Sequence, residues 1–289
     1  MDTTEIERQV SAIESRAGHV LAPCGDGQMV FRRWNQGGGE PVVLLHGGSG
    51  AWTHWIRNIP VLAERFDVIA ADLPGLGDSA ALPDGYTAAD AAHWTAGGLR
   101  QMLGEAPFHL VAFSWGCTVA ATFAPTLKNQ VKSMLLVGPA ALGDMLRRMQ
   151  MQPLLRRNRN MSQDEVFATN RENLARLMIH DRDRIDDMAV WIQTENTNRS
   201  RFNSPQFALS TLVLDGVGQA TSPLYVIYGE FDAPAHPNFA IREERLRAVR
   251  PDIRFEVVPG GGHWLQYELP DVFNPKCIDW IEENSATVQ

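Results

Sequence analysis

Ser114 stands where an apolar run ends and a segment of helical pattern begins. Residues 109–113 form a continuous apolar run typical of a buried strand, and Trp115 opens the next element. The small residues Ala112 and Gly116 would let the chain turn sharply there. Such a turn would hold the hydroxyl above the strand end, beside the first amides of the helix. Ser114 is therefore a candidate nucleophile, with the alternative that it only caps an ordinary helix.

A serine hydroxyl needs a base to remove its proton, and His263 is the best-placed candidate. Three consecutive glycines at residues 260–262 precede it, directly after an apolar stretch at residues 253–258. The glycines would let the backbone bring the imidazole over the sheet. The seven other histidines are interpreted as structural or surface residues.

The base needs a carboxylate that sets its tautomer and stabilises its cation. Glu230 and Asp232 both follow the apolar run at residues 224–228. Asp232 has the strand–Gly-x-x-Asp spacing, so it is preferred to Glu230. The resulting chain order, Ser114, Asp232, His263, is the one known for serine nucleophiles on strand-to-helix turns.

A glycine-rich loop, His-Gly-Gly-Ser-Gly at residues 46–50, follows the apolar run at residues 41–45. Amide donors in such a loop and directly after the nucleophile can stabilise an oxyanion, and these are assigned to Gly48 and Trp115. The loop lacks the Gly-Lys-Ser/Thr ending of a phosphate-binding loop, and it is not G-x-G-x-x-G. His46 is interpreted as a structural residue that bonds the loop backbone.

Alternating strands and helices must position these residues. A leading helix at residues 4–15 and a hairpin precede a series of buried strands, with helices expected at residues 51–64, 87–103 and 115–127. This order predicts a doubly wound, mostly parallel α/β sheet. The strands are predicted at residues 19–22, 29–34, 41–45, 66–71, 109–113, 131–137, 224–228 and 253–258.

The rhythm breaks between residues 140 and 221, where no buried strand is evident and amphipathic pieces occur near residues 173–179 and 185–192. We interpret residues 140–221 as a helical insertion. The core domain then comprises residues 1–139 and 222–289.

Composition limits the functional classes. The 289 residues are 44% hydrophobic and 21% charged, with a formal net charge of −8, which offers no electrostatic footprint for nucleic acid or anionic membranes. No apolar run is long enough to span a bilayer, and the polar N-terminus does not resemble a signal peptide, so a cytoplasmic protein is expected. Three cysteines without paired spacing favour neither disulfides nor zinc. A small-molecule substrate is expected, with no metal and no organic cofactor, and the oligomeric state is not readable.

Taken together, these motifs resemble the α/β-hydrolase superfamily over about residues 28–139 and 224–281. Residues 112–116 resemble its G-x-S-x-G nucleophile elbow, with alanine in place of the first glycine. Residues 72–79 resemble its D-x-P-G-x-G-x-S loop, and residues 262–270 its G-H-x-x-x-x-E-x-P segment. The resemblance implies that the insertion is a lid, or cap, that shapes an acyl pocket.

Several chemistries share this fold, so the site residues must discriminate among them. Relatives that cleave epoxides or carbon–halogen bonds carry aspartate at the elbow, and dienelactone hydrolases carry cysteine. Cys117 lies one helical turn too far along the chain for that role. Carboxylic ester hydrolysis is the leading hypothesis. The other named hypotheses are amidase, thioesterase, lyase, perhydrolase and non-catalytic ligand-binding functions.

Carbon–carbon hydrolysis of the meta-cleavage product type is the main alternative. The insertion resembles those enzymes around residues 173–178 and 185–188. Those enzymes usually carry an arginine in the cap that binds the substrate carboxylate. This chain has Gln193 at the corresponding position, and Arg199 or Arg201 could take the place of that arginine. Most of a further group of cap arginines are interpreted as a solvated face, namely Arg147, Arg148, Arg156, Arg157 and Arg159.

Aromatic and methionine side chains near the mouth are the candidates for substrate contact, and plain core packing is the alternative for each. We predict an apolar, adaptable pocket to which Trp52, Trp191 and Trp264 contribute. Further candidates are Trp55, Trp115, Met145, Met149 and Phe202.

Overall fold

The computed structural model describes residues 1–143 and 151–285. Apolar runs form strands and amphipathic segments form helices, in the order expected from the sequence. The strands are β1 Gly18–Cys24, β2 Gly27–Trp34, β3 Pro41–Leu45, β4 Asp67–Ala71, β5 Phe108–Phe113, β6 Val131–Val137, β7 Leu224–Gly229 and β8 Arg254–Val258. The helices are α1 Thr3–Glu14, α2 Ile59–Leu62, α3 Ala88–Leu103, α4 Trp115–Leu127, α5 Gln163–Leu177, α6 Asp187–Asn198, α7 Leu212–Gln219, α8 Phe239–Val249, α9 Leu265–Glu268 and α10 Pro270–Ser285.

The eight strands form one sheet in the order β1-β2-β4-β3-β5-β6-β7-β8. β2 pairs antiparallel with β1 and β4, whereas the six strands from β3 to β8 pair in parallel. Parallel strands direct their carboxyl ends to the same edge. The loops after β3, β5, β6, β7 and β8 therefore meet there, which is where ligands bind in open α/β sheets.

Helices cover both faces of the sheet. β4 and β5 are buried along their whole length, and separate apolar clusters fill the space on either side of the sheet. This double coverage explains why the central strands have continuous apolar sequences rather than alternating ones. The predicted mostly parallel α/β sheet is confirmed.

The helix predicted at residues 51–64 is mostly absent. A single 3-10 turn at Trp52–Trp55 and the one-turn helix α2 take its place. Pro60 lies in the first turn of α2, where its missing N–H is tolerated, but a helix continuing through that position would lose a backbone hydrogen bond.

The insertion between β6 and β7 contains α5 and α6, which pack on each other, and the short 3-10 segments Arg182–Arg184 and Ser204–Phe207. The last helix before β7, α7, packs with the core instead of with α5 and α6. α7 packs against α4, with Gly216 so close that an added Cβ would lie 2.0 Å from the Ala121 carbonyl oxygen. Its apolar residues Val213 and Val217 join the core cluster on that face. The core therefore resumes at α7, and the predicted boundary at residue 222 is too late. Among the described residues, no helix is both long and apolar enough to cross a membrane.

Candidate active site

The turn between β5 and α4 holds Ser114 in a left-handed conformation with φ of +51°. Its amide donates to the Val137 carbonyl at 2.9 Å, and its carbonyl accepts from the Cys117 amide at 3.0 Å. A Cβ on Gly116 would lie 2.6 Å from the Leu45 carbonyl oxygen, so only glycine fits there. A non-glycine residue in this backbone region is strained, and such strain often occurs at functional sites. The sharp turn predicted around Ser114 is present.

The loops after β7 and β8 bring two further side chains to this serine. The Ser114 hydroxyl lies 3.0 Å from His263 Nε2, and His263 Nδ1 donates to Asp232 Oδ2 at 2.7 Å. The exposed fractions of Asp232 and His263 are 1% and 5%. Glu230 does not take part, since its carboxylate accepts from the Gly260 amide at 3.0 Å. The structure thus places Asp232, rather than Glu230, on the imidazole.

Gly138, directly after β6, is a close neighbour that the sequence analysis missed. It has φ of +56°, and a Cβ there would lie 2.8 Å from Asp232 Oδ2 and 2.9 Å from His263 Nδ1. Any other residue would therefore press on the hydrogen bond between these two side chains. A glycine directly after a strand was the only sequence signal, and many turns share it.

Two buried histidines hold the loop that contains Gly48. His46 Nδ1 donates to the Gly47 carbonyl at 2.7 Å, while the Gly47 amide donates to His54 Nδ1 at 3.3 Å. His46 Nε2 accepts from the Leu73 amide at 2.9 Å, which defines its tautomer. The Gly47 peptide is thus held at both its carbonyl and its amide. His46 has the predicted structural role, and His54 is a second such residue that was not singled out.

Burial keeps both histidines neutral. Desolvation lowers the pKa of His46 below its usual value and lowers the pKa of His54 well below it. His54 Nε2 is buried and has no hydrogen-bond partner within the described portions of the chain. A proton on His54 Nδ1 would also abolish the acceptor that the Gly47 amide uses.

A cavity of about 610 Å³ lies over the serine. Core residues form its floor, including Ser114, His263 and the predicted oxyanion-loop residues Gly48 and Trp115. The insertion forms the rest of the wall with mostly apolar and amide side chains. The described lining contains one arginine, Arg157, whose guanidinium donates to Asn198 Oδ1 at 2.9 Å. Most of the cap arginines were interpreted as a solvated face, and Arg157 is the one among them that lines this cavity in the described residues.

The three tryptophans predicted to contact substrate lie outside this lining, which corrects the prediction. Trp52 and Trp191 line a separate cavity of about 80 Å³ beside the N-terminal helix. Trp264 is fully buried, stacks on Tyr267 at 4.1 Å between ring centroids and donates its indole N–H to the His54 carbonyl. Their large side chains complete packing layers around the site instead of facing its cavity.

The other proposed contacts divide in the same way. Trp55 is fully buried against Phe273, and Phe202 packs between Tyr86 and Trp115. Met145 and Met149 lie outside the described residues. Gln193 does line the cavity, whereas the two arginines suggested as its substitutes have other partners. Arg199 pairs with Asp78 and Glu195, and Arg201 donates to the carbonyls of Gly77 and Ser79.

The arrangement can perform acyl chemistry through an oxygen nucleophile. A proton can pass from Ser114 Oγ to His263 Nε2, while the buried Asp232 carboxylate stabilises the resulting cation. Cys117 offers no competing nucleophile, because burial raises the pKa of its thiol well above the usual value and its Sγ faces the Ala112 carbonyl oxygen at 3.2 Å.

Comparison with known proteins identifies the family of this fold. A sequence model described as the alpha/beta hydrolase fold matches residues 40–270. A 2-hydroxy-6-oxononadienedioate/2-hydroxy-6-oxononatrienedioate hydrolase from Comamonas testosteroni is 27% identical over 259 residues, covering 85% of this chain and 88% of the relative.

Solved structures show the same fold. A carboxylesterase from Bacillus subtilis superposes with a TM-score of 0.72 at 18% identity, over 96% of both chains. A meta-cleavage product hydrolase from Pseudomonas fluorescens superposes with a TM-score of 0.72 at 20% identity, over 93% of this chain and 99% of that one. Because the family match spans β3 to β8, the Ser114 turn and the histidine loop, the chain belongs to the alpha/beta hydrolase fold family and is an enzyme of that family.

Proposed function

We propose that the protein is a serine hydrolase that cleaves a carboxylic ester with a small to medium apolar acyl group, through an acyl-enzyme. The observation that carries the proposal is the continuous relay from Ser114 through His263 to Asp232, with spacings of 3.0 Å and 2.7 Å, at the floor of a mostly apolar cavity.

In the proposed reaction, Ser114 Oγ attacks the ester carbonyl as its proton moves to His263 Nε2. The carbonyl oxygen takes up the electron pair and accepts hydrogen bonds from the amides of Gly48 and Trp115. When the tetrahedral intermediate collapses, the bond to the alcohol oxygen breaks and His263 protonates it. Water then repeats the sequence on the acyl-enzyme, again with His263 as base, and releases the acid.

The cavity supports an apolar acyl group. About 610 Å³ is ordinary for a small-molecule site, and Leu154, Leu177, Met178 and Phe207 are among its lining residues. Their burial of an acyl chain would supply binding energy without a charged partner.

Carbon–carbon bond hydrolysis of a vinylogous diketone is the second candidate. Two observations favour it: Arg157 lies in the cavity wall, where it could pair with a substrate carboxylate, and the Comamonas testosteroni relative is named as a hydrolase of dienedioates. The same serine, imidazole and oxyanion amides would serve that reaction.

One experiment distinguishes the candidates. Purified protein is assayed in parallel on p-nitrophenyl esters of graded acyl length and on a 2-hydroxy-6-oxo-dienoate, with kcat/KM as the readout. We expect the esters to be favoured, and a dienoate kcat/KM above that of every ester would replace ester hydrolysis by carbon–carbon hydrolysis.

A fluorophosphonate probe tests the nucleophile itself. We expect stoichiometric labelling of the wild type, none in Ser114→Ala, and full labelling in the matched control Ser210→Ala, whose hydroxyl donates to the Phe207 carbonyl and lies outside the cavity lining. An unlabelled, folded wild type would instead support a non-catalytic binding protein.

A further inference from the structure

Ser204, from the insertion, lies directly against the glycine-rich loop of the core. A Cβ built on Gly48 would be 2.0 Å from Ser204 Oγ, 3.1 Å from Ser204 Cβ and 3.8 Å from Trp115 Cβ. The serine hydroxyl therefore occupies the side of Gly48 that faces Trp115. These two residues carry the amides that the proposed reaction uses, and all three residues line the cavity over Ser114.

The hydroxyl of Ser204 is uncommitted. Ser204 is half-buried, and its hydroxyl has no hydrogen-bond partner in residues 1–143 and 151–285. The hydroxyls of two neighbouring serines do have partners. Ser200 Oγ lies 3.2 Å from Ser49 Oγ, and Ser210 Oγ donates to the Phe207 carbonyl at 2.7 Å. Ser204 thus retains a free donor at the cavity wall.

The segment that carries Ser204 is anchored to the core on both sides. Before it, the Arg201 amide donates to the Gly75 carbonyl at 2.8 Å, and Phe202 packs on Trp115 with ring centroids 4.8 Å apart. After it, the Phe207 ring stacks on the Trp115 indole, with ring centroids 5.2 Å apart. A donor held in this way costs little reorganisation when charge develops beside it.

We propose that the Ser204 hydroxyl is a third donor to the oxyanion, beside the amides of Gly48 and Trp115. The inference rests on the proposed function and extends it. As Ser114 Oγ bonds to the carbonyl carbon, the π electron pair moves to the carbonyl oxygen, which accepts the Ser204 O–H. The pair returns when the leaving-group bond breaks, and the Ser204 proton stays on its own oxygen throughout. The insertion then supplies a catalytic group, in addition to the cavity wall.

The test compares Ser204→Ala with the wild type on the best ester. Removal of one oxyanion donor typically lowers kcat by about 10²–10³-fold, and we expect at least a tenfold loss here, since two amides remain. The inhibition constant of a trifluoromethyl ketone, whose serine adduct carries the oxyanion, should rise by the same factor, while KM stays nearly constant. Ser204→Thr, which keeps the hydroxyl, should recover most of the activity.

Ser210→Ala is the matched control, because it removes a hydroxyl from the same segment without touching the cavity. We expect wild-type kinetics from it. An unchanged or raised kcat/KM in Ser204→Ala overturns the inference, and so does a loss of kcat without any change in ketone affinity. A wild type that neither hydrolyses esters nor binds the ketone overturns the proposed function instead, and this inference with it.

Discussion

Substitution of Gly138 by alanine should damage the acid–base pair without altering the cavity. Its Cβ would lie 2.8 Å from Asp232 Oδ2 and 2.9 Å from His263 Nδ1, on the flank of a 2.7 Å hydrogen bond between those atoms. Gly138 is not among the residues that line the cavity. The expected effect is therefore on kcat rather than on substrate binding.

The magnitude follows from the geometry. Ordinary contact begins at 3.4 Å, so the carboxylate oxygen must move by about 0.6 Å and the imidazole nitrogen by about 0.5 Å. A misplacement of about 1 Å can cost roughly 10²-fold in rate, so a loss of about 10- to 100-fold in kcat is expected. The left-handed φ of +56° adds about 1–2 kcal/mol of destabilisation for a residue with a Cβ.

The assay measures kcat and KM on the best ester, together with the free energy of unfolding in urea. Gly37→Ala is the matched control, because Gly37 also has a left-handed φ, of +75°, but nothing lies within 4 Å of its Cβ position. We expect both variants to lose stability through backbone strain and only Gly138→Ala to lose activity.

Two outcomes would refute this reasoning. Full activity in Gly138→Ala would mean that the pair tolerates the methyl group or does not act in turnover. An equal loss of activity in Gly37→Ala would assign the effect to backbone strain and lower stability, rather than to contact with the pair.

Two further predictions concern single side chains. Asp232→Asn should lower kcat/KM by up to about 10⁴-fold, because an amide favours the wrong imidazole tautomer. Glu230→Gln should change it little, since the Glu230 carboxylate accepts from the Gly260 amide rather than from His263, and the reverse ranking would move the acid to Glu230. Burial lowers the pKa of His54, so its unfolded form binds the proton first and stability should fall as pH drops below about 6.5. His54→Gln should reduce that slope by about 1.4 kcal/mol per pH unit in urea unfolding between pH 5 and 6, and an unchanged slope would contradict the neutral, buried imidazole.

Much of the fold was predictable from local sequence. Strands buried on both faces are continuous apolar runs, so β3 to β7 could be located to within a residue or two. The order of strands and helices then limited the topology to a parallel, doubly wound sheet. The candidate nucleophile, base and acid could also be predicted, because each follows a strand at a turn rich in small residues, and parallel strands direct such turns to one edge.

Other features depended on contacts between segments far apart in the sequence. The amphipathic pattern of α7 shows that one of its faces is buried, but it does not say whether α4 or the insertion covers that face. The same limit explains why the three tryptophans were wrongly expected to line the cavity. An indole that fills a packing layer and one that faces a cavity have the same sequence signature.

The positions of Gly138, Arg157 and Ser204 were decided only by tertiary structure. Gly138 lies 94 positions before Asp232 and 125 before His263 in the chain, yet their side-chain atoms surround its missing Cβ. Arg157 and Ser204 lie on the insertion, outside the strands of the sheet. The order of the strands therefore does not predict which core residues they contact. Residue type and spacing determined which chemistry was available, whereas long-range packing decided which neighbours surround it.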